Sequence, residues 1–188
     1  MINFLFVKFR NIILSRVYTS TKVIVYAYSN KQISSSALVL READASNIKD
    51  PLQFEDSLSY SINEKNRKAG DKGYYGYSAG ACVFRGWVSE GPRKVLFHKF
   101  YSHSLSGQEV YIHSCLTDKN QRGKGFYPQA IAEIGRLYTQ QHKTVLISTE
   151  QSNLASIKGI LKGGYKQVSE ISIRVIAGFK KISAHESE

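Results

Sequence analysis

The spacing of hydrophobic positions changes several times along the chain, and the changes mark out its elements. Val23-Ile24-Val25-Tyr26-Ala27-Tyr28 is β-branched and aromatic without a breaker, which predicts a strand. A polar connector, Ser29 to Ser36, leads to a second candidate strand, Ala37 to Arg41. Asp44, Ser46 and Asn47 are capping types and predict a short helix over 43–48. Pro51 then opens a longer helical pattern, Leu52 to Lys68, with Leu52, Phe54, Leu58 and Ile62 as its apolar positions. Gly70-Asp71-Lys72-Gly73 reads as a turn. From Tyr74 the pattern becomes strand-like: Tyr74 to Ser78 and Ala81 to Val88 flank Ala79-Gly80 as a hairpin. Val95 to Tyr101 and Val110 to Thr117 flank a polar connection containing Ser106-Gly107. A helix over Pro128–Gln140 and a strand over Val145–Thr149 follow. Antiparallel strands succeeded by strand–helix–strand–helix–strand predict a mixed α/β (α+β) fold, a mostly antiparallel sheet flanked by helices.

The opening stretch, Met1 to Tyr18, is apolar but interrupted by Lys8, Arg10, Asn11 and Arg16. It is too short and too charged to span a bilayer, and a small-residue cleavage site is missing. Phe6, Phe9, Ile13 and Val17 recur at helical spacing. Two readings stay open: a basic amphipathic helix resting on an anionic membrane, and a helix packed on the domain's own core. With no repeat, low-complexity segment or linker, a single domain over residues 1–188 is expected, residues 1–36 forming an extension (helix plus strand) and 37–182 the core.

Composition narrows the partners more than the fold. The 188 residues carry a formal net charge of +11, which favours acidic partners such as coenzyme A, a nucleotide-linked sugar, nucleic acid or an anionic membrane, unless it is only a solvated basic surface. No nucleic-acid recognition motif appears, so nucleic acid is the weakest of these. Cys82 and Cys115 lie within apolar runs and show no metal spacing. Reduced cysteines and a cytoplasmic setting are expected, at most peripheral at the inner membrane surface, with no metal.

The chemistry concentrates in Asn120-Gln121-Arg122-Gly123-Lys124-Gly125-Phe126-Tyr127-Pro128. A strand precedes this loop and a helix follows it. Glycines let amides turn toward one point, and a helix start adds free N–H groups and a positive dipole end. Arg122 and Lys124 add charge, so a phosphate or pyrophosphate is the fitting guest. A Walker loop is excluded by spacing, and Pro128 breaks the dinucleotide fingerprint. Together with strand Val145–Thr149, then Asn153-Leu-Ala-Ser156 and Gly163-Gly164-Tyr165, the loop resembles the GCN5-related N-acetyltransferase (GNAT) superfamily over roughly Val95 to Ala177, although Asn120 stands where the family has Gln or Arg. The likeness to members tied to bacterial surface-polysaccharide pathways is slighter.

The resemblance implies a GNAT acyl-CoA N-acyltransferase fold and acetyl-CoA as co-substrate. The amides of Gln121, Arg122, Gly123, Lys124, Gly125, Phe126 and Tyr127 would hold its pyrophosphate. Main-chain groups of Cys115, Leu116 and Thr117 would face pantetheine, exposed by a bulge in a strand splayed from its neighbour. Asn153 and Ser156 would flank the coenzyme's arm, unless Asn153 is simply a helix cap. Strand parity puts Glu109, Tyr111, His113 and Cys115 on one face, so His113 or Glu109 could serve as base; His98 and His103 are further candidates. The family's thiolate-protonating Tyr is replaced by Ile160, which leaves Tyr127, water or no acid at all. Tyr165 is expected to pack.

The sequence thus points to an N-acetyltransferase acting on a small-molecule primary amine, such as that of an amino sugar on a nucleotide or lipid carrier. Two alternatives remain: a non-catalytic acyl-CoA-binding or membrane-surface module of the same fold, and an enzyme acetylating a protein or peptide amine.

Overall fold

The computed structural model describes residues 18–29 and 38–186. The helix expected within Met1 to Tyr18, and most of the Ser29–Ser36 connector, lie outside the described residues. The strands are β1 (Tyr18–Tyr28), β2 (Val39–Glu42), β3 (Lys72–Ser78), β4 (Ala81–Glu90), β5 (Arg93–His98), β6 (Tyr101–Leu105), β7 (Glu109–Thr117), β8 (Thr144–Glu150), β9 (Tyr165–Ile176) and β10 (Phe179–Glu186). Three α-helices are described: α1 (Ser57–Lys68), α2 (Phe126–Thr139) and α3 (Leu154–Lys162). Eight strands make one sheet in the order β10-β9-β1-β8-β7-β4-β3-β2, and β5 and β6 form a separate hairpin. Within the eight-stranded sheet β7 and β8 run parallel and the other pairs antiparallel. This is the mixed, mostly antiparallel sheet with flanking helices that the hydrophobic pattern predicts.

Both faces of the sheet centre are covered, which is why β1 and β7 read as nearly unbroken apolar runs. Alternate residues go to opposite sides. Ile24, Tyr26, Val110 and Ile112 pack with Ile131, Ile134 and Tyr138 of α2 and Ile160 of α3. Val23, Val25 and Tyr111 pack with Val95, Phe97 and Leu105 of the β5–β6 hairpin. Tyr165 packs as expected, its hydroxyl donating to the Ile131 carbonyl at 2.8 Å.

Several expectations need correction. The strand assigned to an amino-terminal extension is β1, which lies between β8 and β9 in mid-sheet, so it is core rather than appendage. The helix expected over 43–48 is absent and residues 45–49 form turns, because Asp44 and Asn47 bond locally: the Asp44 carboxylate accepts from the Ser46 amide at 2.7 Å and the Asn47 side chain accepts from the Asp44 amide at 2.8 Å. The helix read over Leu52–Lys68 is two pieces, a 3-10 turn at Asp50–Gln53 and α1, whose new start is capped by Asp56 accepting from Ser59 N. Its expected apolar face is not its buried face: Leu58 is 73 % exposed whereas Asn63 is buried. The helix phase follows polar anchors at Asn63 instead. The strand read over Val95–Tyr101 ends at His98, and Tyr101 with the polar residues after it forms β6, which pairs back on β5 so that Val95 and Phe97 of the hairpin face the main sheet.

Candidate active site

The parallel register between β7 and β8 runs from Glu109↔Thr144 to Ile112↔Ile147 and stops there. Beyond it β7 stays paired to β4 as far as Phe84↔Thr117, and β8 to β1 as far as Val23↔Glu150. The two strands therefore part, each carried by its outer neighbour. Between them opens a cleft of about 620 Å³, walled by residues 111–117 of β7, 147–149 of β8, the glycine loop and the Asn153–Lys162 side of α3.

A bulge in β7 shapes the cleft wall. Trp87 of β4 faces His113, but Arg85, two residues earlier, faces Leu116, so β7 holds one residue too many. Ser114 takes a left-handed conformation, φ +49°. The Arg85 guanidinium donates to the Ser114 carbonyl and pairs with Glu55, both side chains being nearly inaccessible. Glu55 also accepts from Asn63 Nδ2 at 3.3 Å, and Asn63 Oδ1 accepts from Trp87 Nε1 at 2.9 Å. A buried polar chain thus runs from α1 to the bulge carbonyl and leaves each of these groups partnered.

The bulge overturns the parity argument. Tyr111 and His113 remain on the hairpin side, their rings stacked at 5.7 Å, whereas Cys115 packs against the helix-side cluster with Val110 and Ile112. One extra residue inverts every side chain after it. Burial pushes the Cys115 thiol up to about 12. Cys115, Leu116 and Thr117 all line the cleft, as expected of groups beside a pantetheine arm.

The loop has the geometry its composition implies. Asp118 caps a 3-10 turn over Lys119–Gln121, after which Gly123 and Gly125 both take positive φ, +81° and +83°. Gly125 is the N-cap of α2 and offers no side chain to the helix start, so the first amides of α2 keep their donors for an external acceptor. Gln121, Arg122, Gly123, Gly125, Phe126 and Tyr127 line the cleft. Lys124 does not; its ammonium donates to Gln121 Oε1 at 2.7 Å and steadies the loop.

Tyr127 projects from the first turn of α2 to α3, where its hydroxyl meets Ser156 Oγ at 3.3 Å. Its ring lies against Gly159, where an added Cβ would fall 2.4 Å from Tyr127 Cδ1. Burial raises its pKa above the ordinary phenol value. Ile160 is fully buried, so nothing there can reach a sulfur. Asn153 caps α3, its side chain accepting from Ser156 N at 3.1 Å, and both residues also line the cleft. Capping and lining are compatible, so the two readings of Asn153 are not exclusive.

Among the base candidates, His113 lines the cleft. Its Nε2 lies 3.3 Å from Asp71 Oδ2 and 3.1 Å from Ser89 Oγ, and its Nδ1 3.1 Å from Ser114 Oγ. Asp71 is held below the usual carboxylate range: burial opposes its ionisation, but hydrogen bonds from His113 and Ser89 and the Arg93 charge outweigh that. Glu109 is no base for this cleft. It sits about 14 Å before His113 along β7 at about 3.4 Å per residue and is not among the lining residues; its carboxylate accepts from Ser106 N and closes the β6–β7 turn. His98, facing Glu150, and His103, stacked on Phe97, are not among the lining residues either.

Sequence reasoning missed Asp71, Ser89, Arg85, Lys158 and Lys162. The last two line the cleft from α3, and their four-residue spacing was a legible signal for one helix face. The others are brought together only by folding.

No protein-family profile matches the chain, and no curated protein does. Solved structures do match. An acetyltransferase of the GNAT family from Colwellia psychrerythraea superposes with TM-score 0.61 at 12 % identity, over 96 % of this chain and 62 % of that one, so the chain spans about three-fifths of that protein's length. A protein from Novosphingobium aromaticivorans assigned to the same family gives 0.58 at 9 % identity, covering 91 % and 68 %. The aminoglycoside N-acetyltransferase AAC(6')-Iy, in complex with the bisubstrate analogue CoA-S-monomethyl-acetylneamine, gives 0.52 at 16 % identity, covering 70 % and 92 %. The parted strands, the glycine loop that opens a helix and these superpositions agree: the chain has the fold of the GNAT acetyltransferases.

Proposed function

We propose that the protein is an acetyl-CoA-dependent N-acetyltransferase. The observation that carries this reading is the cleft where β7 leaves β8, with the uncapped start of α2 at its end. Free amides, the positive helix end and Arg122, Lys158 and Lys162 are the groups a coenzyme's phosphates need. Cys115, Leu116 and Thr117 line the cleft on the edge of β7 that β8 has left, which suits an amide-rich pantetheine arm, although the Thr117 carbonyl already accepts from Arg122 Nε at 3.3 Å.

In this reading the amine enters on the His113 side, and His113 takes up its proton as the C–N bond forms and the C–S bond breaks. Tyr127 donates a hydrogen bond to the departing sulfur. With its pKa raised by burial it keeps its own proton, and a thiol's pKa of about 8.5 makes departure as thiolate feasible without an acid. The acceptor class we favour is an amino sugar, with a nucleotide or lipid carrier supplying the anion that a net charge of +11 would attract. The amino-sugar analogue bound in AAC(6')-Iy supports the class but not the carrier.

Titration calorimetry with coenzyme A, followed by thiol release from acetyl-CoA with glucosamine, UDP-glucosamine, neamine and a lysine peptide, tests this. Heat with thiol release is expected. Heat without release toward any amine would leave a non-catalytic acyl-CoA-binding module of the same fold. No heat removes the proposal.

A further inference from the structure

We propose that Ser114 is a catalytic residue of this site, the hydroxyl through which His113 receives the amine's proton, and that Asp71 is its positioning residue. The inference rests on the acetyl-transfer reading above and deepens it.

Both ring nitrogens of His113 are already engaged by the protein. Nε2 faces Asp71 Oδ2 at 3.3 Å and Ser89 Oγ at 3.1 Å. Ser89 spends its only proton on Asp71 Oδ1, at 2.8 Å, and Arg93 donates both to Ser89 Oγ, at 2.9 Å, and to Asp71. Everything facing Nε2 is therefore an acceptor, which assigns the ring proton to Nε2. Nδ1 is left with its lone pair and a single partner, Ser114 Oγ at 3.1 Å, which donates to it. The remaining surroundings hold this arrangement. Tyr111 stacks on the ring, and Arg85, neutralised by Glu55, fixes the Ser114 carbonyl.

Both nitrogens of His113 are thus engaged by the protein, and the hydroxyl on Nδ1 belongs to Ser114, which lines the cleft beside His113. The balanced step is a relay. The amine's N–H proton passes to Ser114 Oγ as the Ser114 proton passes to Nδ1, giving an imidazolium whose Nε2–H rests on the Asp71 carboxylate. The amine nitrogen forms its bond to the acetyl carbon and the sulfur leaves with the electron pair. Serine's left-handed backbone, φ +49°, is uncommon for a residue with a Cβ, and glycine would occupy it at no steric cost.

Ser114→Gly is therefore the deciding variant, since it removes the hydroxyl while relieving the backbone. The expected result is a urea midpoint unchanged or raised, coenzyme A affinity unchanged, and kcat with the best amine of the panel down about a hundredfold. Asp71→Asn is expected to lower kcat less, again without loss of coenzyme affinity. Undiminished kcat in Ser114→Gly removes the relay alone. An acetyl group found on Ser114 by intact mass after mixing with acetyl-CoA also overturns it, in favour of a covalent route. No thiol release by the wild type with any amine removes the relay and the acetyl-transfer reading together.

Discussion

At the residue scale, this site depends on polar groups that are buried and paired. Arg85 and Glu55 are the clearest case. Removing one partner strands a charge in the interior, which costs about 3–5 kcal/mol. Arg85→Met is expected to destabilise by that order in urea denaturation, and to weaken coenzyme A binding because the Ser114 carbonyl loses its donor. Gly159→Ala probes a close approach instead. Its Cβ would overlap the Tyr127 ring, so a cost of about 1–3 kcal/mol is expected, together with a changed near-ultraviolet tyrosine signal. Asp71 contributes to acid stability. Its folded pKa is depressed, so its contribution is complete above the unfolded value of about 3.9 and is lost as pH falls through and below it. Urea midpoints should hold from neutral pH to about 5 and then drop. In Asp71→Asn the midpoint at pH 7 should be lower and the acid drop shallower.

At the element scale, the loop and α2 act as one unit. Gly125 is both the left-handed turn and the helix N-cap, and the space around it is open, the nearest atom to an added Cβ being Gln129 Nε2 at 3.5 Å. The penalty for Gly125→Ala is thus backbone strain alone, about 1–2 kcal/mol. Relief of that strain by turning amides away should cost coenzyme A affinity about tenfold, measured by calorimetry, with little change in the thermal midpoint. The loop's chemistry was readable because a glycine's freedom and a helix start are local properties. The faces of β7 were not. Alternation was a sound rule from Glu109 to His113 and failed at Ser114, where a bulge that depends on Arg85 and Glu55, far away in sequence, inverted the order. The break between the 3-10 turn and α1 was hidden likewise, because Leu52, Phe54, Leu58 and Ile62 kept helical spacing while the buried anchor was Asn63.

At the scale of the whole molecule, charge and topology meet at the cleft. Arg122, Lys158 and Lys162 come from a loop and a helix separated by α2 and β8, and converge on one opening. If they hold phosphates, raising salt from about 0.05 to 0.5 M should weaken coenzyme A binding severalfold, since the Debye length shrinks below the spacing of such charges. Lys158→Ala with Lys162→Ala should flatten that dependence, as followed by calorimetry. The position of β1 belongs to this scale too. Its apolar run said strand and said buried on both faces, but nothing local said which neighbours it would take. Its place between β8 and β9 carries β8 away from β7, and so helps open the gap.

The amino-acid sequence by itself determined which segments are strands and helices through most of the chain, the mixed sheet, and the loop fitted to bind an anion. All of these follow from spacing and backbone preferences within a few residues. Tertiary structure alone decided which side chains share the cleft. Asp71 from a turn, Ser89 from β4 and His113 from β7 become neighbours only when β4 pairs with both β3 and β7, and Ser114 turns to meet His113 only because a buried arginine holds the bulge. Contacts of that kind are fixed by strand register and packing between distant segments, and no local pattern carries them.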